Sequence, residues 1–473
     1  MTDRRRFVAC SAAPLLAGLF PWMYAGAAPA LPSRRPPPAE RRFVSAAVER
    51  AILEGKARIG KPELAWLFEN CFPNTLDTTV TPAMRGGLPD TYVITGDIDA
   101  MWLRDSSAQV WPYLPLMKGD RPLQMLIAGV VRRHARCVLI DPYANAFYDD
   151  PRKVSEHSAD KTLMKPGVHE RKWELDSLCY VIRLAHGYWR HSGDRTPFDA
   201  EWLAAMRLLV DTMRDQQRRG GSGSYSFKRT TDRPFDTAAG DGTGWPAAPV
   251  GLVASVFRPS DDGSVLPYLI PSNYFAAASL RRLAELLDAL GGAARLRDDS
   301  LALAGEIEAA LRLHAAVERP GFGKVLAYEV DGYGSHYLTD DSNIPSLVSL
   351  PYLESMSADD PLYRNTRRFL FTEGAHPYYV RGRAAEGTSG PHAGREMIWP
   401  MGIIVRAMTS GSDDEIRLCL DMLARTHAGT GFMHEAFHKD DPARYTRKWF
   451  AWANTLFGEL VMKLLAERPQ LLA

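Results

Sequence analysis

Apolar residues recur with helical spacing along most of the chain from Phe43 onward, a pattern typical of amphipathic helices. Strand-like patterns are few: one covers Thr91–Thr95, and a hairpin-like stretch around Val325–Tyr333 turns at Asp331-Gly332. Strands and helices do not alternate as in a parallel sheet, and the helical segments show no fixed repeat. The pattern therefore predicts an all-α fold, a toroid of paired helices or (α/α) barrel, with a minor β-hairpin component. The predicted helices are Phe43–Arg58, Leu123–Leu139, Trp173–Trp189, Trp202–Arg218, Asn273–Leu290, Leu301–Leu313, Met397–Met408, Glu415–Thr426 and Trp449–Leu465.

The first 30 residues differ from the rest of the chain. Three arginines, Arg4–Arg6, precede an apolar stretch from Phe7 to Tyr24, and small residues follow at Ala25–Ala28. This order is typical of an export signal peptide, and the paired arginines before Phe7 resemble a twin-arginine signal. The apolar stretch is short for a membrane span, and two prolines interrupt it. We therefore expect a protein exported to the periplasm or the extracellular space, with no membrane attachment once the signal is removed.

A proline-rich stretch follows the signal, and no second linker divides the helical region. The predicted organisation is a signal peptide at 1–30, a Pro-rich leader at 31–41 and one folded domain at 42–473. After signal removal four widely spaced cysteines remain, and no C-x-x-C pair or zinc spacing occurs among them. A protein that folds in the reducing cytosol before export keeps its thiols reduced, so we expect buried free thiols. These cysteines are Cys71, Cys137, Cys179 and Cys419.

Charge narrows the range of partners. The chain carries 57 basic and 56 acidic residues, which leaves a formal net charge of +1. Such a balance provides no field of one sign to attract nucleic acid or an anionic membrane. A neutral partner such as a carbohydrate fits better, because the 10% aromatic residues can stack on the apolar faces of sugars.

Two segments combine acidic residues with aromatic ones at predicted helix starts. The first, Gly96–Ser106, places Arg104 beside Asp105, a pair that can hydrogen-bond vicinal hydroxyls or can simply form a helix cap and its ion pair. The second, Trp173–Ser177, contains Glu174 and Asp176, acids that also suit the helix dipole. Both the functional and the structural interpretations stay open at this point.

Two further segments offer candidate acid and base groups. The segment Phe257–Asp262 ends in adjacent aspartates and is followed by Tyr268–Asn273. Like charges side by side raise the pKa of one of them, as a general acid requires, although a solvated turn would use the same residues. The segment Gly429–Phe437 holds Glu435 between a histidine and aromatic residues, where a carboxylate can deprotonate water.

Other chemistries lack their motifs. The sequence contains no Gly-x-Ser-x-Gly elbow, phosphate-binding loop, dinucleotide glycine cluster or His-Glu-x-x-His helix. Its histidines show no consistent ligand spacing, and Asp340–Asn343 is not completed as a calcium loop. We therefore expect no cofactor and no catalytic metal.

Taken together, Thr95–Ile98, Trp102–Ser106, Phe257–Asp262 and Met433–Glu435 resemble glycoside hydrolase family 125, in motif order from about Phe43 to the C-terminus. The resemblance implies an (α/α)6 catalytic barrel. It also implies an exo-acting, metal-independent α-mannosidase, typically specific for α-1,6 linkages and inverting at the anomeric carbon. A mannose-containing oligosaccharide or glycan would then be the partner.

The resemblance also implies roles for residues. The family's acid is an aspartate of the Ser-Asp-Asp stretch and its base is the glutamate of Met-His-Glu. We assign the acid to Asp262 and the base to Glu435, with Asp261 as the open alternative. An inverting pair needs carboxyl groups roughly 6.5–9.5 Å apart to admit a water molecule. Candidates for binding the terminal mannose are Arg104, Asp105, Arg258, Asn273, Arg395 and Glu396.

Two local features qualify this picture. Asp99 occupies a variable place in the Gly-Asp-Ile-x-Ala-Met-Trp motif where a small residue or proline is more usual, so contacts beyond the terminal mannose are in question. The glycine- and proline-rich loop Phe227–Val250 is long enough to close an exo-acting pocket. Alternative functions are another glycosidase on the same helical barrel, such as a glucosidase or a calcium-dependent mannosidase, or a non-catalytic sugar-binding protein. A binding protein would not need an acid and a base across its site.

Overall fold

The structure, a computed structural model, describes residues 31–473. It is rich in helices, and every helical segment predicted from the sequence overlaps an observed helix. The helices are α1 (Ala46–Arg58), α2 (Pro62–Cys71), α3 (Asn74–Thr78), α4 (Leu103–Val110), α5 (Arg121–Ile140), α6 (Leu175–Ser192), α7 (Ala200–Asp215), α8 (Ile270–Leu290), α9 (Ala294–His314), α10 (Pro361–Leu370), α11 (Pro400–Met408), α12 (Asp413–Thr426) and α13 (Ala451–Glu467).

Helices α2, α3 and α10 were not predicted, and of α4 only a start near Arg104 and Asp105 was predicted. Helix α4 shows why, because all eight of its residues are buried, including Arg104, Asp105 and Gln109. A helix surrounded by protein on every side has no polar face, and so its sequence lacks the amphipathic period that identifies surface helices.

The ends of the helices follow local chemistry. Ser45, Asp120, Asp199 and Ser412 each accept a hydrogen bond from a backbone N–H in the first turn of α1, α5, α7 and α12, respectively. These side chains satisfy donors that have no partner inside the helix. By contrast, α4, α6, α8, α11 and α13 begin without a side-chain cap, as do α2, α3 and α9.

The strands are short and pair only antiparallel. They are β1 (Val80–Arg85), β2 (Leu88–Val93), β3 (Met101–Trp102), β4 (Ala146–Phe147), β5 (Val168–Glu170), β6 (Tyr268–Leu269), β7 (Ala316–Arg319), β8 (Gly323–Leu326), β9 (Glu329–Val330), β10 (His336–Tyr337), β11 (Tyr379–Arg381), β12 (Glu386–Thr388), β13 (Met397–Ile398), β14 (Ala436–His438) and β15 (Asp441–Thr446). The pairs or sheets are β1-β2, β3-β4-β5, β10-β9-β6, β7-β8, β11-β12 and β13-β14-β15.

The predicted hairpin around Val325–Tyr333 is partly right. The turn at Asp331-Gly332 lies between β9 and β10, as expected. Val325, however, belongs to β8 and pairs with Val317 of β7. Two short hairpins in succession therefore replace one, because each strand is too short for its alternation to identify a partner.

Helices α4, α6, α8, α11 and α13 pack against one another as a series of neighbours. Helix α4 packs against α6 and α13, α6 against α8, and α11 against α13. Helices α5, α7, α9 and α12 pack against these or against one another. One continuous apolar core fills the space between them.

The N-terminal part of the described chain packs onto the helices. The Arg35 guanidinium donates to Asp77 at 2.8 Å and also pairs with Glu49, and the Arg34 backbone N–H donates to Asn70 at 2.8 Å. The compact unit therefore runs from Ser33 to Ala473 and includes most of the predicted leader. The predicted signal peptide at 1–30 lies outside the described residues.

Two sequence predictions concern the remaining surface and core. Cys71, Cys137, Cys179 and Cys419 are buried free thiols, as predicted, and burial raises the pKa of each. Across residues 31–473, no helix has both the length and the apolar character that a membrane crossing requires.

Candidate active site

One pocket lies where α4, α11 and α13 begin. Aromatic rings form much of the wall, and acidic and basic side chains converge on the same space. The lining residues are Thr95, Ile98, Trp102, Arg104, Asp105, Pro259, Ser260, Asp261, Asn343, His392, Trp399, Glu435, Arg447, Phe450 and Trp452.

Arg104 is the centre of the charged network on one wall. Its guanidinium donates to Glu174 at 2.6 Å and to Asp261 at 3.0 Å, and it lies 3.3 Å from Asp176 and 3.4 Å from Asp105. The side chain is 3% exposed. One buried cation surrounded by four carboxyl groups cannot neutralise all of them, so this wall favours retention of a proton.

Asp105 also faces the pocket. Thr95 Oγ1 donates to its Oδ1 at 2.7 Å. Burial raises the pKa of Asp105, although the positive charge of Arg104 and the hydrogen bond from Thr95 oppose this shift. Its position at the start of α4 fits a role in binding hydroxyl groups of a ligand.

The two adjacent aspartates point to different places. Asp261 lines the pocket, and its backbone has a φ of +66°, a conformation that a non-glycine residue adopts at a cost of about 1–2 kcal/mol. The carboxyl group of Asp262 is buried behind the pocket, where its Oδ1 lies 3.0 Å from Nδ1 of His392. The left-handed turn thus exposes the first aspartate to a ligand and withdraws the second.

His392 connects Asp262 to the pocket, which its own ring lines. Burial alone would lower the pKa of His392, but the hydrogen bond and charge of Asp262, with Glu435 and Asp261 nearby, raise it to about 9. The imidazole is therefore protonated at neutral pH and contributes a positive charge to the pocket wall. Its ring also packs against Trp399, with 5.8 Å between the ring centroids.

Glu435 lies at the end of a loop, immediately before β14. Its side chain is 12% exposed, and Arg447 Nη1 lies 3.3 Å from its Oε1. The same guanidinium donates to the Thr95 carbonyl at 3.4 Å and to the carboxylate of Asp97. Neighbouring His434 turns away, because its ring stacks on Tyr445 at 3.9 Å and its Nδ1 contacts the Lys448 carbonyl. Glu435 is thus free to face the pocket.

Gly96 allows these loops to approach each other. Its φ is +126°, and a Cβ added there would lie 3.2 Å from Trp449 Cζ3 and 3.6 Å from Arg447 Nη2. Only glycine adopts such a backbone easily, and only a missing side chain leaves room for the tryptophan. The close approach of the two loops therefore explains the glycine of the Gly-Asp-Ile motif.

The geometry describes a pocket with candidate acid and base groups, and the chain's relatives identify its class. Residues 61–462 match the family of metal-independent alpha-mannosidases, GH125. The chain belongs to this family. It is accordingly a glycoside hydrolase that acts on α-mannosides, and the non-catalytic alternative falls away.

Two proteins are similar to this chain over nearly its whole length. The Meiotically up-regulated gene 157 protein of Schizosaccharomyces pombe is 42% identical over 461 residues, 93% of this chain and 90% of its own length. A solved metal-independent alpha mannosidase of Streptococcus pneumoniae, in a non-productive substrate complex with alpha-1,6-mannobiose, is 39% identical. That likeness covers 90% of this chain and all of the other, with a TM-score of 0.87.

A more distant likeness concerns the fold alone. A bacterial glucoamylase complexed with acarbose matches 79% of this chain and 49% of its own, at 12% identity and a TM-score of 0.50. The helix-rich architecture of this GH125 chain is therefore consistent with an (α/α) barrel.

The binding residues predicted from the sequence fall into three groups according to their position relative to the pocket. Arg104 and Asp105 line it. Arg258 is instead buried and donates to Glu329 of β9 at 2.6 Å. The Asn273 side chain accepts a hydrogen bond from the Val253 N–H and donates to the carbonyls of Val253 and Leu269. These two residues hold backbone and loops in place and do not line the pocket.

Arg395 and Glu396 form the third group. Both are exposed, and the Glu396 carboxylate contacts His438 Nε2 at 3.3 Å and Lys439 Nζ at 3.4 Å. Neither residue belongs to the pocket lining. Their neighbour in sequence, His392, is the residue of this loop that reaches the GH125 pocket.

The loop predicted to close the pocket lies elsewhere. Residues 227–250 supply none of the lining residues, and this part of the chain packs behind the aspartate loop, where the Phe235 carbonyl accepts a hydrogen bond from Gly263 at 2.6 Å. Lys172 bridges the two loops by contacting Asp236 at 2.6 Å and the Asp261 carbonyl at 2.8 Å. The loop supports the strained turn at Asp261.

Several pocket residues were not selected from the sequence. They are Asn343, His392, Trp399, Arg447, Phe450 and Trp452. Trp399 and Phe450 are the N-cap residues of α11 and α13. An aromatic residue at a predicted helix start could therefore have identified these two pocket residues. The Trp-Phe-Ala-Trp run at 449–452 is another, because three aromatics at a helix start exceed the need of a helix cap.

Proposed function

We propose that this protein is an exo-acting α-1,6-mannosidase that releases terminal mannose with inversion. The observation that carries the proposal is the presence of two carboxyl groups, Asp261 and Glu435, in one small pocket beside Arg104 and Asp105. Support for the linkage comes from the S. pneumoniae relative, whose complex contains alpha-1,6-mannobiose. The substrate would be the mannose end of an oligosaccharide or glycan.

We place the general acid at Asp261 rather than at Asp262. Asp261 lines the pocket, whereas Asp262 is 1% exposed and is hydrogen-bonded to His392. A general acid must come within hydrogen-bond reach of the glycosidic oxygen, and the position of Asp261 in the pocket lining supports this choice between two chemically identical neighbours. In this assignment Asp262 is a positioning residue that holds His392.

Glu435 is the proposed base. Arg447 holds its carboxylate from one side and leaves the other to the pocket. Asp261 donates a proton to the glycosidic oxygen as the bond from that oxygen to the anomeric carbon breaks. Glu435 accepts a proton from water as the water oxygen bonds to the anomeric carbon, and a single displacement of this kind inverts the centre.

The pocket can recognise mannose through the remaining lining residues. Asp105 and Asn343 offer acceptors and donors for hydroxyl groups, and the rings of Trp399 and Trp452 offer faces for the apolar side of a sugar. Positive charge also lies near the two carboxyl groups, because His392 and Arg447 line the same pocket as Glu435 and Asp261. A small pocket with such walls suits one terminal sugar.

We further propose that the helices close into an (α/α)6 barrel. The packing order α13-α4-α6-α8, together with the contact of α11 with α13, supports an inner ring. Helices α5, α7, α9 and α12 then form part of an outer ring, each contacting an inner helix or its neighbour. The uncapped ends of the inner helices would surround the funnel in which the pocket lies.

Export by the twin-arginine route is a separate proposal. It is supported by the arginines and apolar stretch at positions 4–24 and by four buried thiols that are unpaired, a state that suits folding in the cytosol. In cell fractionation, replacing Arg4 and Arg5 by lysine is expected to retain the protein in the cytoplasm. Export of the double variant at the level of the natural chain would contradict this route.

The decisive experiment follows the hydrolysis of α-1,6-mannobiose by time-resolved proton NMR. We expect β-mannose to appear first and to convert slowly to the α-anomer. Glu435→Gln should abolish turnover, because water then lacks a proton acceptor. Glu459→Gln changes a half-buried glutamate that accepts a hydrogen bond from Tyr352 and should behave like the natural chain. Initial formation of α-mannose would contradict inversion, and cleavage of only other α-linkages would contradict the proposed linkage.

A further inference from the structure

Glu174 is a buried acid that the proposed mechanism does not use. It is 1% exposed and precedes α6 as its N-cap residue. An acid at this position would ordinarily accept a hydrogen bond from a backbone N–H of the first turn. The Glu174 side chain accepts none and turns instead towards Arg104, so helix capping does not explain it.

Glu174 and Asp261 are held by the same two partners. Arg104 donates through Nη1 to Glu174 at 2.6 Å and through Nη2 to Asp261 at 3.0 Å. Asn145 Nδ2 donates to Glu170 Oε2 at 2.9 Å and lies 3.4 Å from both Glu174 Oε1 and Asp261 Oδ1. Ser177 Oγ adds a hydrogen bond to Glu174 Oε2 at 2.9 Å. The shared partners fix the two carboxyl groups next to each other.

The two carboxyl groups are also hydrogen-bonded to each other. Two ionised carboxylates have only acceptors, so such a contact requires that one of them carries a proton. The pair resembles other adjacent carboxyl groups that share one proton, because both cannot ionise at close range.

The surrounding charges decide where that proton resides. Burial, followed by the negative charge of Asp261, raises the pKa of Glu174 well above its usual range in spite of Arg104. Burial acts in the same direction on Asp261, but Arg104, the hydrogen bond from Glu174, Lys172 and His392 outweigh it and lower its pKa. In the free enzyme the proton is therefore on Glu174, and ionised Asp261 accepts a hydrogen bond from it.

The groups that face the pair come from several elements. Arg104 and Asp105 belong to α4, Asp176 to α6, and Lys172 and His392 to loops. Burial, opposed by Arg104, raises the pKa of Asp176 to about 6. The negative groups outnumber the cations in immediate contact with Glu174, which stabilises its protonated form.

We infer that Glu174 stores the proton that Asp261 delivers to the leaving oxygen, and that it is therefore a positioning residue acting through Asp261. This inference rests on the proposed function. In the reactive complex the Glu174 O–H bond breaks as an Asp261 O–H bond forms, and that proton then passes to the glycosidic oxygen as its bond to the anomeric carbon breaks. Both carboxyl groups are then ionised against Arg104, and a proton from solvent restores the pair.

The test compares two substrates with Glu174→Gln. Glutamine preserves the size of the side chain but cannot supply the proton. On α-1,6-mannobiose we expect the high-pH limb of the kcat/KM profile to move by about one pH unit or more towards acid, because Asp261 beside Arg104 ionises readily on its own. At neutral pH the loss should be roughly 10²-fold, typical of general acid catalysis. A dinitrophenyl α-mannoside, whose leaving group needs no proton, should lose only a few-fold.

Two further variants complete the design. Glu174→Asp keeps an ionisable group one methylene further away, and its high-pH limb should lie between those of the natural chain and Glu174→Gln. If Glu174→Gln does not fold by circular dichroism, this variant alone carries the test through the same two substrates. Glu459→Gln removes a half-buried carboxyl group that lies outside the pocket lining and should leave the profile unchanged.

The outcomes separate the two proposals. An unmoved high-pH limb in both Glu174 variants, or an equal loss on both substrates, overturns the proton-storage role while α-mannosidase activity of the natural chain still stands. An absence of hydrolysis by the natural chain on every α-mannoside overturns the proposed function and the inference with it.

Discussion

Asp262 and His392 form a hydrogen-bonded pair, with 3.0 Å between Oδ1 and Nδ1, while Asp261 turns the other way into the pocket. The positive φ of Asp261 produces this separation of adjacent side chains. One aspartate of the Ser-Asp-Asp stretch can therefore reach a ligand, and the other sets the charge of a histidine on the same wall.

The first prediction separates the two aspartates. Asp261→Asn should reduce kcat/KM on α-1,6-mannobiose by roughly 10²–10⁴-fold, because the leaving oxygen then receives no proton. Its activity on a dinitrophenyl α-mannoside should fall far less. The matched variant Asp262→Asn should reduce both substrates to a similar extent. Should Asp262→Asn show the leaving-group dependence and Asp261→Asn not, the acid is Asp262, as the sequence first suggested.

The second prediction concerns His392. In the natural chain its imidazole should titrate near pH 9, and Asp262→Asn should lower that pKa because the main charge partner is lost. Proton–nitrogen NMR of the histidine side chains measures both values. Folding raises this pKa above the ordinary 6.5, so the stabilisation is complete below about pH 6.5 and disappears as the pH rises through 9.

A denaturation series provides the corresponding check on stability. Between about pH 6.5 and 9 the free energy of unfolding of the natural chain should fall more steeply than that of Asp262→Asn. Parallel curves for the two proteins would show that Asp262 does not control the protonation of His392.

The third prediction tests the approach of two loops at Gly96. Gly96→Ala adds a Cβ at a φ of +126°, where it meets Trp449, and the strain should cost about 1–3 kcal/mol of stability. The displaced loop carries Thr95 and the partner of Arg447, so KM and kcat should both deteriorate. Gly86→Ala, which has a positive φ but open space around it, is the control. Equal activities of the two variants would argue that loop contact at Gly96 does not position the site.

The fourth prediction concerns metal ions. Dialysis against EDTA should leave kcat/KM on α-1,6-mannobiose unchanged, because the proposed chemistry uses carboxyl groups alone. Within the described residues, Glu156, His157 and His169 are grouped closely enough to hold an ion. His169 packs against Trp102 of the pocket wall, with ring centroids 5.1 Å apart. Activity lost to EDTA and restored by zinc or calcium would contradict metal independence, and His157→Ala would then test this group as the cause.

The sequence by itself determined the helical class, the chemical class of the site and the loops that carry it. Helical spacing identified the amphipathic helices, because a polar face and an apolar face leave a period in the sequence. It did not identify α4, whose eight residues are all buried. The four buried thiols were also predicted, because a protein that folds in the reducing cytosol before export keeps its thiols reduced.

Tertiary structure alone decided which residues of those loops reach the pocket. Asp261 and Asp262 are identical in chemistry and adjacent in sequence, and the φ of one residue separates them. Arg258 and Asn273 carry groups that can hydrogen-bond to sugars, but these groups are already bonded to Glu329 and to nearby backbone. Arg447 and His392 join the site from distant parts of the chain through contacts that no local pattern records. A sequence specifies which groups are available, and packing determines which of them remain unpaired and exposed to a ligand.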